Sequence, residues 1–170
     1  MVTIRSRLTL RSLPAAAMCA APRLELPFER RQKTRQRAVL DSGEEVTLDL
    51  PRGDVLRGGD WLVASDGRVV QVVAQTEQVV HVECATPRLL ATAAYHLGNR
   101  HVPVQVGDGW LRIAADPVLE RMLEGLGAKL AALEAAFEPE SGAYAAHHRH
   151  DDESGHGGRI HEFGEPHAHG

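Results

Sequence analysis

Aromatic side chains make up only 4% of this 170-residue chain. A core must therefore come from Val, Leu and Ala, and the hydrophobic fraction of 43% is sufficient for one within the first 140 or so positions. Cysteine is scarcer still. Cys19 and Cys84 form no CxxC or other close pair, which excludes a disulfide framework and a zinc finger. Cys84 closes the apolar stretch VVHVEC and reads as a small buried residue rather than a ligand. No run reaches the ~18 apolar residues of a membrane span. LPAAAMCAAP (13–22) has some features of a signal h-region, but it is short and bounded by Pro14 and Pro22, so a loop between strands is expected and the protein is read as cytoplasmic. A net charge of −4 argues against general nucleic-acid binding. A nucleophile–base pairing, a phosphate loop and an HExxH helix are also lacking, so no enzyme is expected.

What is present in excess is histidine, and it is concentrated at one end. His147, His148, His150, His156, His161, His167 and His169 stand among glycines and acids in HHRHDDESGHGGRIHEFGEPHAHG. Neutral imidazole is a favoured ligand for nickel, zinc and copper, and a segment of this composition is expected to be disordered and to hold several ions loosely. Irregular spacing, with Asp, Glu and Arg interleaved, distinguishes it from a cloning tag. Charge is also uneven elsewhere. FERRQKTRQR (28–37) is strongly basic, read first as a solvated strand face or loop and, as the rival, as a docking patch for an acidic partner.

Periodicity divides the rest. Val46, Leu48 and Leu50 alternate with Thr47 and Asp49, the period of a half-buried strand. Turn signals recur at Asp41-Ser42-Gly43, Gly58-Gly59 and Asp66-Gly67, the last between WLVAS and RVVQVVA in the manner of a tight hairpin. An all-β unit over 1–75, barrel-like or sandwich-like, follows. Beyond the polar AQTEQ (74–78), VVHVEC reads as a strand. Pro87 opens a helix through RLLATAAYHL with Gly98-Asn99 as its stop. VPVQV and WLRIAA pair about Gly107-Asp108-Gly109, and PVLERMLEGLG forms a second helix with Val118, Met122 and Leu126 on one stripe. One more strand would complete a βαββαβ, ferredoxin-like unit over 76–145. For 129–139 propensity favours helix, whereas the alternation of Ala131, Leu133, Ala135 and Phe137 permits a strand. The overall class is α+β, with the histidine-rich tail occupying 146–170.

YHLGNRHVPVQV (95–106) resembles the central motif of the UreE family, urease accessory proteins that deliver nickel. FEPESGAY (137–144) resembles the segment closing that family's folded part, and residues 41–74 resemble its N-terminal domain. The resemblance spans roughly residues 28–145, and it implies a peptide-binding-like β domain, then a ferredoxin-like metal domain through which a homodimer forms. It favours the strand over 129–139. It also implies that His101, the histidine of GNRH, binds Ni²⁺ at a two-fold axis, one from each subunit. The partners implied are a urease-maturation GTPase and the urease apoprotein complex.

Two departures stand out. LRIAADPV (111–118) carries Ala114, Ala115 and Pro117 where some members place a second histidine pair, so extra ions fall to the tail. Residues 1–25 depart from the pattern and read as a local extension or alternative start. His96 lies five positions before His101, about 140° round an ideal helix, so joint chelation by one chain is disfavoured and a packing or supporting role beside the metal is preferred. His81, alternating within a strand, reads as a surface or interface residue. The leading expectation is a nickel metallochaperone, with general nickel or zinc storage as the alternative. Zn²⁺ or Cu²⁺ also suit imidazole.

Overall fold

A computed structural model of the chain describes residues 2–8, 15–53 and 55–141. Up to Ala74 the chain builds one sheet from β1 (Val2–Arg7), β2 (Arg23–Leu26), β3 (Arg35–Val39), β4 (Glu45–Asp49), β5 (Trp61–Ala64) and β6 (Val69–Ala74). Their order is β2-β6-β5-β1-β4-β3. The edges β2 and β3 meet at one end, where Arg23 and the turn residue Asp41 exchange two hydrogen bonds of 2.9 Å. The sheet thus curls into a near-barrel. Its interior is aliphatic, as the lack of aromatics requires: Ile4, Leu24, Val46, Leu48, Leu62 and Val72 are each at most 1% exposed. Each such burial contributes about 1.5–3 kcal/mol. Asp66-Gly67 turns the β5–β6 hairpin, with Gly67 at φ 86°.

Two expectations for the N-terminus need correction. LPAAAMCAAP is not a loop throughout, because Ala15–Ala20 form a short helix, α1. Alanine has the highest helix propensity, and Pro22 follows the helix. Nor are residues 2–8 and 23–25 a local extension. β1 lies inside the sheet, parallel to β4 and antiparallel to β5, and β2 pairs with β6. Removing them would expose the core.

The second sheet begins at Thr76. β7 (Thr76–Glu83), the helix α3 (Pro87–Gly98), β8 (Gln105–Gly107), β9 (Trp110–Ala114), another helix and β10 (Lys129–Ala136) follow the βαββαβ order, with strands arranged β10-β7-β9-β8. Residues 129–136 are a strand against their helix propensity. All eight pair with β7, and a full antiparallel ladder outweighs a preference of a few tenths of a kcal/mol per residue. VPVQV is strand only from Gln105, since Pro103 has no N–H to donate to a ladder.

Thr86 caps α3 by accepting from the Leu89 N–H at 3.1 Å. The following helix (Pro117–Gly125) is capped by Asp116, which accepts from Val118 and Leu119. The stripe expected on that helix is displaced by one position. Leu119 and Leu123 are buried, while Val118 is 66% exposed. Val80, Val82, Leu111 and Ile113 form the sheet side of this core, and Ala93 and Leu97 join it from α3.

The two sheets are clasped by an arginine. The second short helix of the N-terminal unit, α2 (Phe28–Arg31), carries Arg31, which is completely buried. Its guanidinium donates to the carbonyls of Leu26, Leu56 and Phe137 and to Glu138 Oε1. The Phe28 ring meets Phe137 edge-on at 5.4 Å. Arg31 fits neither reading of the basic run, being neither a solvated face nor a docking patch. Elsewhere in that run, Lys33 pairs with Glu29 and Arg35 with Asp49.

Candidate metal centre

Helix α3 ends in a way the sequence does not announce. The chain continues in turns past Gly98 and Asn99 until His101, which takes φ 55°. Among the described residues it is the non-glycine residue with positive φ. Its N–H donates to the Gly98 carbonyl at 2.9 Å, and the Val102 N–H donates to Leu97 at 3.3 Å. This is the paired bonding of a Schellman stop, whose left-handed position usually falls to glycine. Apolar packing flanks the stop: Leu97 is fully buried, and Val102 packs against the same core. His101 is exposed. Its main chain is thus fixed on both sides while its imidazole faces solvent.

His96 sits one turn earlier, half-buried, its ring edge-on to Tyr95 at 5.6 Å. Its carbonyl accepts from the Arg100 guanidinium at 2.9 Å. His81 is half-buried on β7 and lies 5.1 Å from the Trp110 ring, which also carries the Arg112 guanidinium at 4.5 Å. Burial pushes the Cys84 thiol pKa up, which keeps it protonated and a poor ligand. Cys19 is exposed. His147, His148, His150, His156, His161, His167 and His169 lie outside the described residues. Among the described residues, no three His, Cys, Asp or Glu side chains gather into a group fit for a metal. What the described chain offers is a single imidazole on a rigid turn.

The link after that turn is held at its far end. The Glu140 N–H donates to the Val104 carbonyl at 2.8 Å, and the Glu138 N–H donates to the Gln105 side chain at 3.2 Å. These contacts join segments more than thirty residues apart. The FEPES segment is a motif in the sequence, whereas its target, Val104 and Gln105, is set by the fold. No described helix is long and apolar enough to cross a membrane.

The architecture is that of a two-unit α+β protein with an exposed imidazole, His101, at the end of α3. Residues 6–75 match the family model described as the N-terminal domain of the UreE urease accessory protein, and residues 77–169 match that of its C-terminal domain. The chain is similar to urease accessory protein UreE of Nitrosospira multiformis, with 50% identity over 149 residues, covering 86% of this chain and 85% of that one. It is 49% identical over 169 residues to the protein of the same name from Ectopseudomonas mendocina, covering 96% and 98%. For that of Cupriavidus pinatubonensis the identity is 52% over 138 residues, 81% of this chain and 62% of the relative. The chain belongs to the UreE urease accessory protein family. Its relatives are named as accessory proteins rather than enzymes.

Proposed function

We propose that this protein is a nickel metallochaperone that supplies Ni²⁺ during assembly of the urease active site. The observation carrying this reading is His101: an exposed imidazole, locked at the end of α3 in a left-handed turn, in a chain of this family. One imidazole holds nickel weakly. Two from a symmetric homodimer, with tail histidines added, form an adequate donor set. Tyr95, 64% exposed beside His96, offers apolar area for such an interface on α3. Connectivity favours recruitment of the tail. Glu140 is bonded next to the His101 link, and the seven residues from there to His147 span up to about 25 Å when extended. In this scheme His101 supplies the central ligand, His96 supports it, and the histidines from His147 to His169 collect ions. Zn²⁺ and Cu²⁺ would compete on chemistry alone. The receiving partners are a urease-maturation GTPase and the urease apoprotein complex, in the cytoplasm.

The number of tail histidines also favours a second reading, a general nickel or zinc store. The test is urease activation in cells at limiting nickel, comparing wild type with His101→Ala. Delivery requires that His101→Ala lose activation while remaining dimeric by light scattering. A store would lose capacity in proportion to tail length and be indifferent to His101.

A further inference from the structure

After β10, at one edge of the second sheet, residues 137–141 cross to the opposite edge beside β8. This strap passes between the two units, and Glu138 is its anchor. The Glu138 carboxylate accepts from Arg31 at 2.9 Å, from Arg57 at 3.2 Å and from the Gly58 N–H at 2.7 Å, all in the N-terminal unit. Arg57 also reaches the Pro139 carbonyl and the Ser141 hydroxyl. A Cβ on Gly58 would lie 2.9 Å from Glu138 Oε1 and 3.3 Å from the Ala74 Cβ, so an alanine there would push the carboxylate aside. From the same strap, the backbone N–H groups of Glu138 and Glu140 hold Gln105 and Val104. Val104 lies three residues beyond His101. The link carrying the imidazole is thus fixed at one end by the helix stop and at the other by a strap that the N-terminal unit grips.

We propose that Glu138 is a positioning residue for the His101 site, coupling the N-terminal unit to the geometry of the metal-binding turn. The proposal rests on the metal role assigned to His101. Freeing the carboxylate from Arg31, Arg57 and Gly58 would loosen the strap, then Val104, then the link. The imidazole would lose the preorganisation that makes a shared site tighter than loose ligands. A partner seated on the N-terminal unit near Arg57 would act on the site through the same contacts.

Full-length Glu138→Gln, Arg57→Gln and Gly58→Ala proteins, each with and without His101→Ala, are titrated with Ni²⁺ by calorimetry. Amide exchange across residues 101–107 is followed in the same samples. The expected result is a tightest-site affinity weakened about 3- to 30-fold, faster exchange at 101–107, and no effect of the clasp variants once His101 is gone. Arg57→Lys, which keeps a cation beside Glu138, should recover part of the affinity. If Glu138→Gln does not fold, Gly58→Ala and Arg57→Gln carry the test, because both leave the buried Arg31 paired with Glu138. Unchanged nickel affinity in the clasp variants, alongside loss of the tight site in His101→Ala, overturns the positioning role and leaves the metal role standing. If His101→Ala binds nickel like wild type, the metal role falls, and unchanged exchange at 101–107 would then overturn the positioning role as well.

Discussion

Replacing His101 by glycine should make the protein more stable and less useful. At φ 55° an L-residue bears a cost of roughly 1–2 kcal/mol that glycine does not. Glycine also frees the unfolded chain, which takes back about 0.4–1 kcal/mol. The exposed ring contributes little packing, so the net gain is about 0.5–1 kcal/mol, or a rise in Tm of about 1–4 °C for a chain of this size. His101→Ala keeps the left-handed strain and should melt within about 0.5 kcal/mol of wild type. The assay is thermal denaturation followed by circular dichroism at fixed protein concentration with a chelator present. Chelation matters because bound metal stabilises whichever state it binds. Adding nickel should then raise the wild-type Tm more than that of either variant. A chelated His101→Gly protein melting below wild type would show that the turn is not strained at His101, and the argument from its φ would fail.

Arg31→Met removes a buried guanidinium, strands three carbonyls and leaves Glu138 only Arg57 and the Gly58 N–H, so it should cost about 3–5 kcal/mol; a loss below about 1 kcal/mol in urea melts would show the clasp to be no stronger than a surface pair. Deleting residues 147–170 should lower the number of nickel ions bound per dimer while leaving one tight site, and loss of all binding at micromolar nickel would contradict the division between tail and turn. An unperturbed imidazole titrates near ~6.5, so nickel capacity should fall between about pH 7 and pH 5, more in the full chain than without the tail; a flat profile would point to carboxylate ligands. Hydrogen bonds from Arg68 hold the Glu44 and Asp66 carboxyls below their ordinary pKa. Groups lowered on folding contribute stability above their unfolded values near ~4, and that stability is lost as pH falls through the folded ones. Arg68→Gln should therefore flatten the acid limb of stability below about pH 5, and an unchanged limb would remove the pair from the account.

Much of this fold was legible because period and turn chemistry agreed. The alternation through Val46–Leu50, the Asp-Gly hairpin and the Pro-led helices all appear where the pattern placed them. The failures share a cause, since each depended on a partner distant in sequence. An alanine-rich stretch becomes β10 because β7 is available to it, and the stripe on the last helix is decided by which side meets Ile113 and Leu111 rather than by Val118. Arg31 was hidden inside a run of like charges, and its four acceptors come from three separate places in the chain. His101 stood out through the motif, but its left-handed backbone did not, because glycine and asparagine three and two positions earlier offered a more conventional stop.

That displaced stop carries a consequence for the proposed chemistry. Had the helix ended in a left-handed glycine at residue 98, His101 would follow in an ordinary extended link with a free choice of direction. Placing the histidine itself in the left-handed position makes its main chain the terminator, held by Gly98 on one side and by the Leu97–Val102 bond on the other. Backbone freedom is removed from the ligand, whereas the imidazole keeps only its side-chain torsions. On the metallochaperone reading, this is a suitable compromise for a carrier. Preorganised main chain raises affinity without adding donors, and an incomplete donor set leaves positions on the ion open to a receiving protein. A closed four-ligand site on a single chain would bind more tightly and release more slowly. His101→Asn separates the two contributions, because asparagine tolerates the left-handed turn but lacks the imidazole. It should melt at or slightly above the wild-type temperature in chelator while losing the shared nickel site. An asparagine variant that keeps the site would show that the turn, not the ring, holds the metal.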